Sequence, residues 1–420
     1  MLSFRQPENF SYPFTDAFIF KSAYSSSLKY FLLILCAVSI TISPHICFAT
    51  KNQQDNPKTP DQIYQSGLSA HNNDDSFTAL MVWLPNALLN NHADSQYMIA
   101  NLYFNQKNQR YDIDQSIYWY KRAATQDHIE AQSKLGHIYC DEKLNVINLT
   151  EAIKWLSKAA RNNHILSQFT LANLYLTENK HLNPKKAAYW LNQAANNNHT
   201  EAQYTLAEMF RTGSQIFKDL NKSYELYDKA AAKGHTDAQL QLARIYMQGI
   251  GRDINTKKAF QLFNQLALKG NHEAQYHMGN FYKDGIEVKQ NFTKAFNYYS
   301  AAAKHNNPDA QYQLGKMYVN GYGTQQNFHK GVELFLQSAT KGNKLAQMDL
   351  GVAYYTGKGI PPDTLKAYAW FHTAARQGVK NAYKNQSLVY DKLLNDDKNA
   401  AVLLASEYAE KYILPDKEAK

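Results

Sequence analysis

The segment DAQLQLARIYMQGIGRDINTKKAFQLFNQLALKG, Asp237 to Gly270, decides the fold because it recurs along the chain. Its Ala238-Gln239 dipeptide has counterparts beginning at Ser95, Ala131, Ser167, Ala202, Ala274, Ala310, Ala346 and Ala382. Seven of the eight intervals are 36 residues and one, Ser167 to Ala202, is 35. Self-similarity at this period is the signature of stacked helical hairpins. The 420 residues would suffice for two or three compact domains, but the repeat fills nearly everything after residue 60, so the chain reads as one elongated solenoid.

Counted from each anchor, small or apolar residues recur at offsets 0, 4, 5 and 8, which share one side of a helix of about 12 residues, helix A. Offset 8 is aromatic in every copy: Tyr103, Tyr139, Tyr175, Phe210, Tyr246, Tyr282, Tyr318, Tyr354 and Tyr390. A ring repeated this way is a packing post between hairpins. Helix B starts at Ser76, Asp112, Asn148, Asn183, Asp219, Asn255, Asn291, Asn327 and Asp363, all residues that cap a helix N-terminus. Helix B stops at Asn91, Asp127, Asn163, Asn198, Gly234, Gly270, Asn306, Gly342 and Gly378, the residue types that accept a left-handed conformation. Between these signals a large apolar residue such as Trp119 or Trp370 is followed four positions later by a small one. Pro85 falls inside the first helix B and predicts a kink. In the last repeat helix B is expected from Asn399, with Glu410 and Lys411 replacing the usual small pair, as befits a terminal capping helix with a polar outer face.

The ends differ from the repeats. After Lys29 the run YFLLILCAVSITISPHICFAT carries no charge and ends near Cys47-Phe48-Ala49, so residues 1–49 read as a secretory signal and the product as periplasmic or secreted. If left uncleaved, residues 30–50 would instead anchor the chain in the inner membrane. Residues 50–60 are a polar, proline-bearing tether, 61–412 the solenoid and 413–420 a polar tail. The formal charge is +9, or +8 without residues 1–49, and it is not gathered into basic blocks, so nucleic acid is not the expected partner. Without the leader only Cys140 remains, so no internal disulfide framework can form.

The pattern A-Q-x-x-L-G/A-x-x-Y-x-x-G followed by N/D-x-x-K-A-x-x-W/Y-x-x-A-A-x-x-G resembles the Sel-one-like repeat (SLR) family, relatives of the tetratricopeptide repeat. It is clearest at Ala274 to Gly285, Ala310 to Gly321 and Ala346 to Gly357, and it covers about residues 61–412. The resemblance implies an all-α, right-handed solenoid, here of about nine 36-residue helix-turn-helix repeats plus a C-terminal capping helix. It also implies a concave face lined by helix A and a role as a scaffold or adaptor for protein partners. Bacterial members are often exported, so envelope assembly or host interaction is the expected setting. The turns before residue 200 lack the glycine pairs of Gly249 and Gly251, Gly321 and Gly323, or Gly357 and Gly359, so those hairpins are expected to be less regular.

The sequence shows no catalytic constellation, and no cofactor is expected. His92, His128, His164, His199 and His235 occur one per repeat, too far apart to share a metal, and read as turn residues. His272 and His277 have one residue too many between them for a zincin pair, and the glycine turns recur as hairpin connections rather than phosphate loops. The alternative function, a cell-wall hydrolase or a penicillin-binding or β-lactamase-like activity suggested for relatives, would need a nucleophile beside a base.

Binding is therefore sought on helix A, at the offsets that vary and point away from the core. Offset 2 supplies Tyr97, Phe169, Tyr204, Tyr276 and Tyr312, and offset 6 supplies Asn101, Asn173, Arg244, Asn280 and Lys316. An aromatic ladder beside polar groups suits capture of an extended peptide. The competing reading is that the offset 2 rings pack against the preceding hairpin. The glutamines from Gln96 to Gln347 read as structural, tying successive repeats by hydrogen bonds.

Overall fold

The computed structural model describes residues 57–105, 111–178, 180–213 and 216–413. The leader at 1–49, most of the tether and the tail beyond 413 lie outside the described residues. Twenty α-helices follow one another, with no strand among the described residues. They are α1 (Pro60–Asn72), α2 (Ser76–Leu89), α3 (Ala93–Phe104), α4 (Ile113–Ala124), α5 (Ile129–Cys140), α6 (Leu149–Arg161) and α7 (Ile165–Thr177). Next come α8 (Pro184–Asn196), α9 (Thr200–Thr212), α10 (Leu220–Ala232), α11 (Thr236–Gln248), α12 (Thr256–Leu268) and α13 (His272–Asp284). The chain ends with α14 (Phe292–Lys304), α15 (Pro308–Asn320), α16 (Phe328–Ala339), α17 (Lys344–Thr356), α18 (Thr364–Arg376), α19 (Lys380–Lys392) and α20 (Asn395–Tyr412). Odd-numbered helices up to α19 are of type A and even-numbered ones up to α18 of type B. Through α19 each helix packs on the one before it, as in a solenoid, while α20 packs on α18.

The start and stop signals work as their chemistry dictates. From Asp112 to Asp363, eight B-helix caps accept a hydrogen bond from the backbone N–H three residues on. The cap's own N–H donates back to the carbonyl of the offset 8 aromatic, as from Asn255 to Tyr246 at 2.8 Å, closing the A-to-B turn. All nine expected stops have positive φ, between 50° at Asn91 and 88° at Gly342. One expected start is corrected: α2 is capped by Asp75, whose carboxylate accepts from Thr78 N–H at 2.9 Å, and Ser76 is the first helical residue. The helix runs on through Pro85 to Leu89.

The interlock between the two helices of a hairpin is tighter than the sequence pattern suggested. The small residue at offset 5 faces the residue eight past the B-helix cap. A Cβ at Gly136 would lie 2.3 Å from Leu156, one at Gly279 2.5 Å from the Tyr299 ring, and one at Gly351 2.7 Å from Phe371. Close backbone approach at these glycines lets the large partner fill the space, so the core is a row of buried pairs rather than one central mass.

Three features depart from the regular array. The helix α1 is an extra A-type helix with Tyr64 and Gly67 at the aromatic and small positions. The indole of Trp83 donates to the Tyr64 carbonyl at 3.1 Å and packs on Gly67. In the turn before α6, where the glycine pair is missing, a 3₁₀ turn (Glu142–Leu144) and a left-handed Asn145 replace it. At the other end α20 begins at Asn395, four residues before the expected Asn399, and lacks a side-chain cap. It lies across α18, with the Tyr408 and Tyr412 rings 4.8 and 5.1 Å from that of Trp370.

Candidate binding face

The offset 2 rings stand between one repeat and the next. Tyr97, Phe169 and Tyr204 each stack at 4.6 Å on the imidazole of His128, His199 and His235, respectively. They pack forward onto the following repeat, not back onto the preceding hairpin. Tyr97, Tyr204 and Tyr276 also lean on Tyr120, Tyr227 and Tyr299 of their own B helices. Tyr312 is only 6 % exposed, and its hydroxyl donates to Asp349 on the next A helix at 3.1 Å.

The offset 6 side chains divide into two groups. Asn101 and Asn280 accept from the hydroxyls of Tyr120 and Tyr299, each at 2.6 Å, and so belong to the hairpin interlock. Arg244 reaches across to Glu273 of the next A helix, with Nε 2.7 Å from the carboxylate. Burial pushes the Glu273 carboxyl up, but hydrogen bonds from His277 and Arg244 outweigh it and hold the group below the usual carboxylate range. Asn173 is half-buried, and Lys316 is exposed with its ammonium 5.7 Å from the Tyr312 ring centroid. Asp349 shows the opposite balance: burial raises its carboxyl despite the Tyr312 hydrogen bond and nearby Lys316.

The repeating histidines have a task beyond turning the chain. Nδ1 of His92, His128, His164, His199 and His235 accepts the backbone N–H three residues on, capping an A helix. In the later repeats Asn271, Asn307 and Asn343 do the same. The sequence held this signal, since His and Asn alternate at one fixed position before the anchor, but His is an uncommon cap. The glutamine ladder ties repeats as expected. Gln132, for example, donates to the Ala124 carbonyl of the preceding repeat at 3.0 Å, and Gln347 to that of Ala339 at 3.1 Å. Among the described residues no group of three or more His, Cys, Asp or Glu could hold a metal ion, and no helix is long and apolar enough to cross a membrane.

Capped helical hairpins stacked with a 36-residue period, interlocked through small-to-large pairs, define an α-solenoid repeat protein. The Sel1 repeat model matches residues 93–128, 129–164, 166–199, 200–235, 236–271, 272–307, 308–343 and 344–379, so the chain belongs to the Sel1 repeat family. Proteins of this family generally act as protein-interaction scaffolds, and the fold is typically non-enzymatic.

Among solved structures the chain is similar to c5321, described as a protective antigen present in uropathogenic Escherichia coli strains displaying an SLR fold. The identity is 24 %, covering 84 % of this chain and 85 % of that one, with a TM-score of 0.62. It is also similar to a Sel1 repeat protein from Oxalobacter formigenes, at 25 % identity over 82 % of this chain and 98 % of that one, with a TM-score of 0.55. A search of curated proteins finds no match.

Proposed function

We propose that this chain is an exported, non-enzymatic scaffold that holds a protein or peptide against the face formed by its A helices. The observation that carries this reading is where the cross-repeat contacts lie. His137 pairs with Thr170 at 3.0 Å, Arg244 with Glu273, Tyr312 with Asp349, and Lys392 with Tyr355 at 2.6 Å, each joining one A helix to another. Among the described residues no hydrogen bond, ion pair or ring contact joins successive B helices from α6 to α18. Repeats that approach along one side and spread along the other form an arc, with the A helices inside. On that inner side the offset 3 residues differ from copy to copy, as Lys134, Thr205, Gln241 and Gln313 do, with Lys134 exposed and the others half-buried, while the packing positions stay constant.

Variable side chains on a constant frame are what selective binding requires. Because Tyr97, Tyr204 and Tyr312 serve mainly to hold repeats together, and Asn101, Tyr276 and Asn280 to hold single hairpins together, Lys316, Asn173, Lys134, Thr205, Gln241 and Gln313 are better placed to meet a partner. The test is site-specific photo-crosslinking from Lys134, Gln241 and Lys316, with Glu225 and Lys257 on B helices as controls. Partner crosslinks confined to the first set support the reading, and equal yield from the second set overturns it. Export rests on the uncharged run before Ala49. Intact-mass measurement of the mature protein, showing loss of residues 1–49, tests it against membrane anchoring.

A further inference from the structure

The histidine caps are not equivalent. At four of the five, Nε2 faces a carboxylate one repeat earlier: His92 with Asp61 at 3.0 Å, His128 with Asp94 at 3.1 Å, His164 with Glu130 at 3.5 Å and His235 with Glu201 at 3.0 Å. Asp94 also lies 4.0 Å from His92. The matching position for His199 is Leu166, which carries no charge. This same seam holds the one short interval of 35 residues between anchors.

Every cap of this kind needs a lone pair on Nδ1, because that nitrogen accepts the N–H of the third residue on; for His199 this is the Ala202 N–H at 3.1 Å. Protonating Nδ1 would replace the acceptor with a donor aimed at the positive end of a helix. Where a carboxylate waits at Nε2, part of that loss is offset. We propose that the seam between α7 and α9, capped by His199, is an acid-sensitive joint of the solenoid that loosens before the other seams do.

The groups facing His199 favour the neutral ring. The Phe169 ring of α7 covers one side at 4.6 Å. Lys233, just past α10, is fixed beside it by hydrogen bonds to the carbonyl and side chain of Asn198 at 2.8 and 3.0 Å. The backbone N–H of His199 donates to the Ala194 carbonyl of α8 at 3.0 Å, which fixes the position of the cap residue. Only Glu201, on its own helix, favours the cation, and that carboxylate is already paired with His235. Burial depresses the imidazole most, Glu201 opposes it, and Lys233 adds to the depression. A base depressed in the folded state contributes stability that is fully present above its unfolded value of about 6.5 and is lost as pH falls below it.

Amide hydrogen exchange on the full chain at pH 7.5 and 5.5, normalised for intrinsic rates, tests the joint. Protection across residues 184–212 should fall by up to about tenfold relative to the asparagine-capped segment 308–343, the ceiling for one group titrating from 6.5 at pH 5.5. His199→Asn, which installs the cap used at residues 271, 307 and 343, should remove the difference. Leu166→Glu should reduce it by restoring the missing carboxylate at an exposed position. An equal fall in both segments overturns the proposal, and so does an undiminished response in either variant.

Discussion

The hydroxyl of Tyr299 donates to Asn280 Oδ1 at 2.6 Å, tying the B helix of one hairpin to its own A helix. The relationship recurs between Tyr120 and Asn101 and between Tyr227 and Glu208. In three hairpins whose B position holds a residue without a hydroxyl, Leu156, Phe263 or Phe335, the A position is His137, Arg244 or Lys316, whereas Asn173 stands opposite Leu191. Asn280→Leu would strand a buried hydroxyl and should cost about 1–3 kcal/mol. Tyr299→Phe should cost less, and the double variant should lie well below the sum. A double-mutant cycle from urea unfolding midpoints measures the coupling.

Glycines at two kinds of position should respond differently to alanine. Gly279→Ala drives a methyl to 2.5 Å from the Tyr299 ring, an overpacking that should cost about 1–3 kcal/mol. Gly270→Ala meets no atom within 4 Å but must hold φ at 87°, which should cost about 1–2 kcal/mol. Gly270→Asn should restore most of the second loss, while Gly279→Asn should be worse than alanine. Thermal melts of the four variants rank them.

The Arg244–Glu273 contact gives an acid limb whose direction is fixed by the carboxyl being held below its ordinary value. A group depressed in this way contributes stability above its unfolded value of about 4.3, and that contribution disappears as pH falls through the folded value. Arg244→Gln removes one of the groups that depress Glu273, so its titration should move upward and the pH-dependent gain above pH 5 should shrink. NMR titration of the Glu273 carboxyl in both proteins checks this, and an unmoved titration would count against it.

Removing α20 should uncover Trp370, which is 2 % exposed beneath Tyr408 and Tyr412. A chain ending at Leu394 should show red-shifted tryptophan emission. The contribution of Trp370 is isolated by replacing Trp83, Trp119, Trp155 and Trp190 with phenylalanine in both lengths. Unchanged emission would mean that α20 does not cover the ring in solution.

Period, caps and stops were legible because each rests on chemistry local to a few residues, and repetition removes the ambiguity of any single copy. The helix α1 was harder to place in the pattern because the spacing from Tyr64 to Tyr97 is 33 residues, which breaks the period. The displaced α20 follows from its partner: α19 carries Gln386 and Ser387 where other A helices carry an apolar residue followed by glycine or alanine, so it offers no apolar seat for a regular B helix. The functions of the offset 2 rings and of the histidines depend on what faces them across a repeat boundary, which one copy of the pattern does not contain. A row of lysines three residues past the B-helix caps was equally opaque. From Lys186 to Lys366 they lie 5.0–5.7 Å from the centroids of the offset 8 rings, each contact worth about 0.5–1 kcal/mol.

The way α20 folds back has a consequence for assembly. A solenoid whose final hairpin repeated the pattern would present the same surface that every internal repeat offers its successor, an open template on which another copy could continue the stack. Here that template is occupied from within: Ala401, Ala405 and Ala409 bury one stripe of α20, and the Tyr412 carbonyl takes the free N–H of Gln347, the residue type that elsewhere joins repeats. Polymerisation from this end would require peeling off a helix, so the protein carries its own chain terminator.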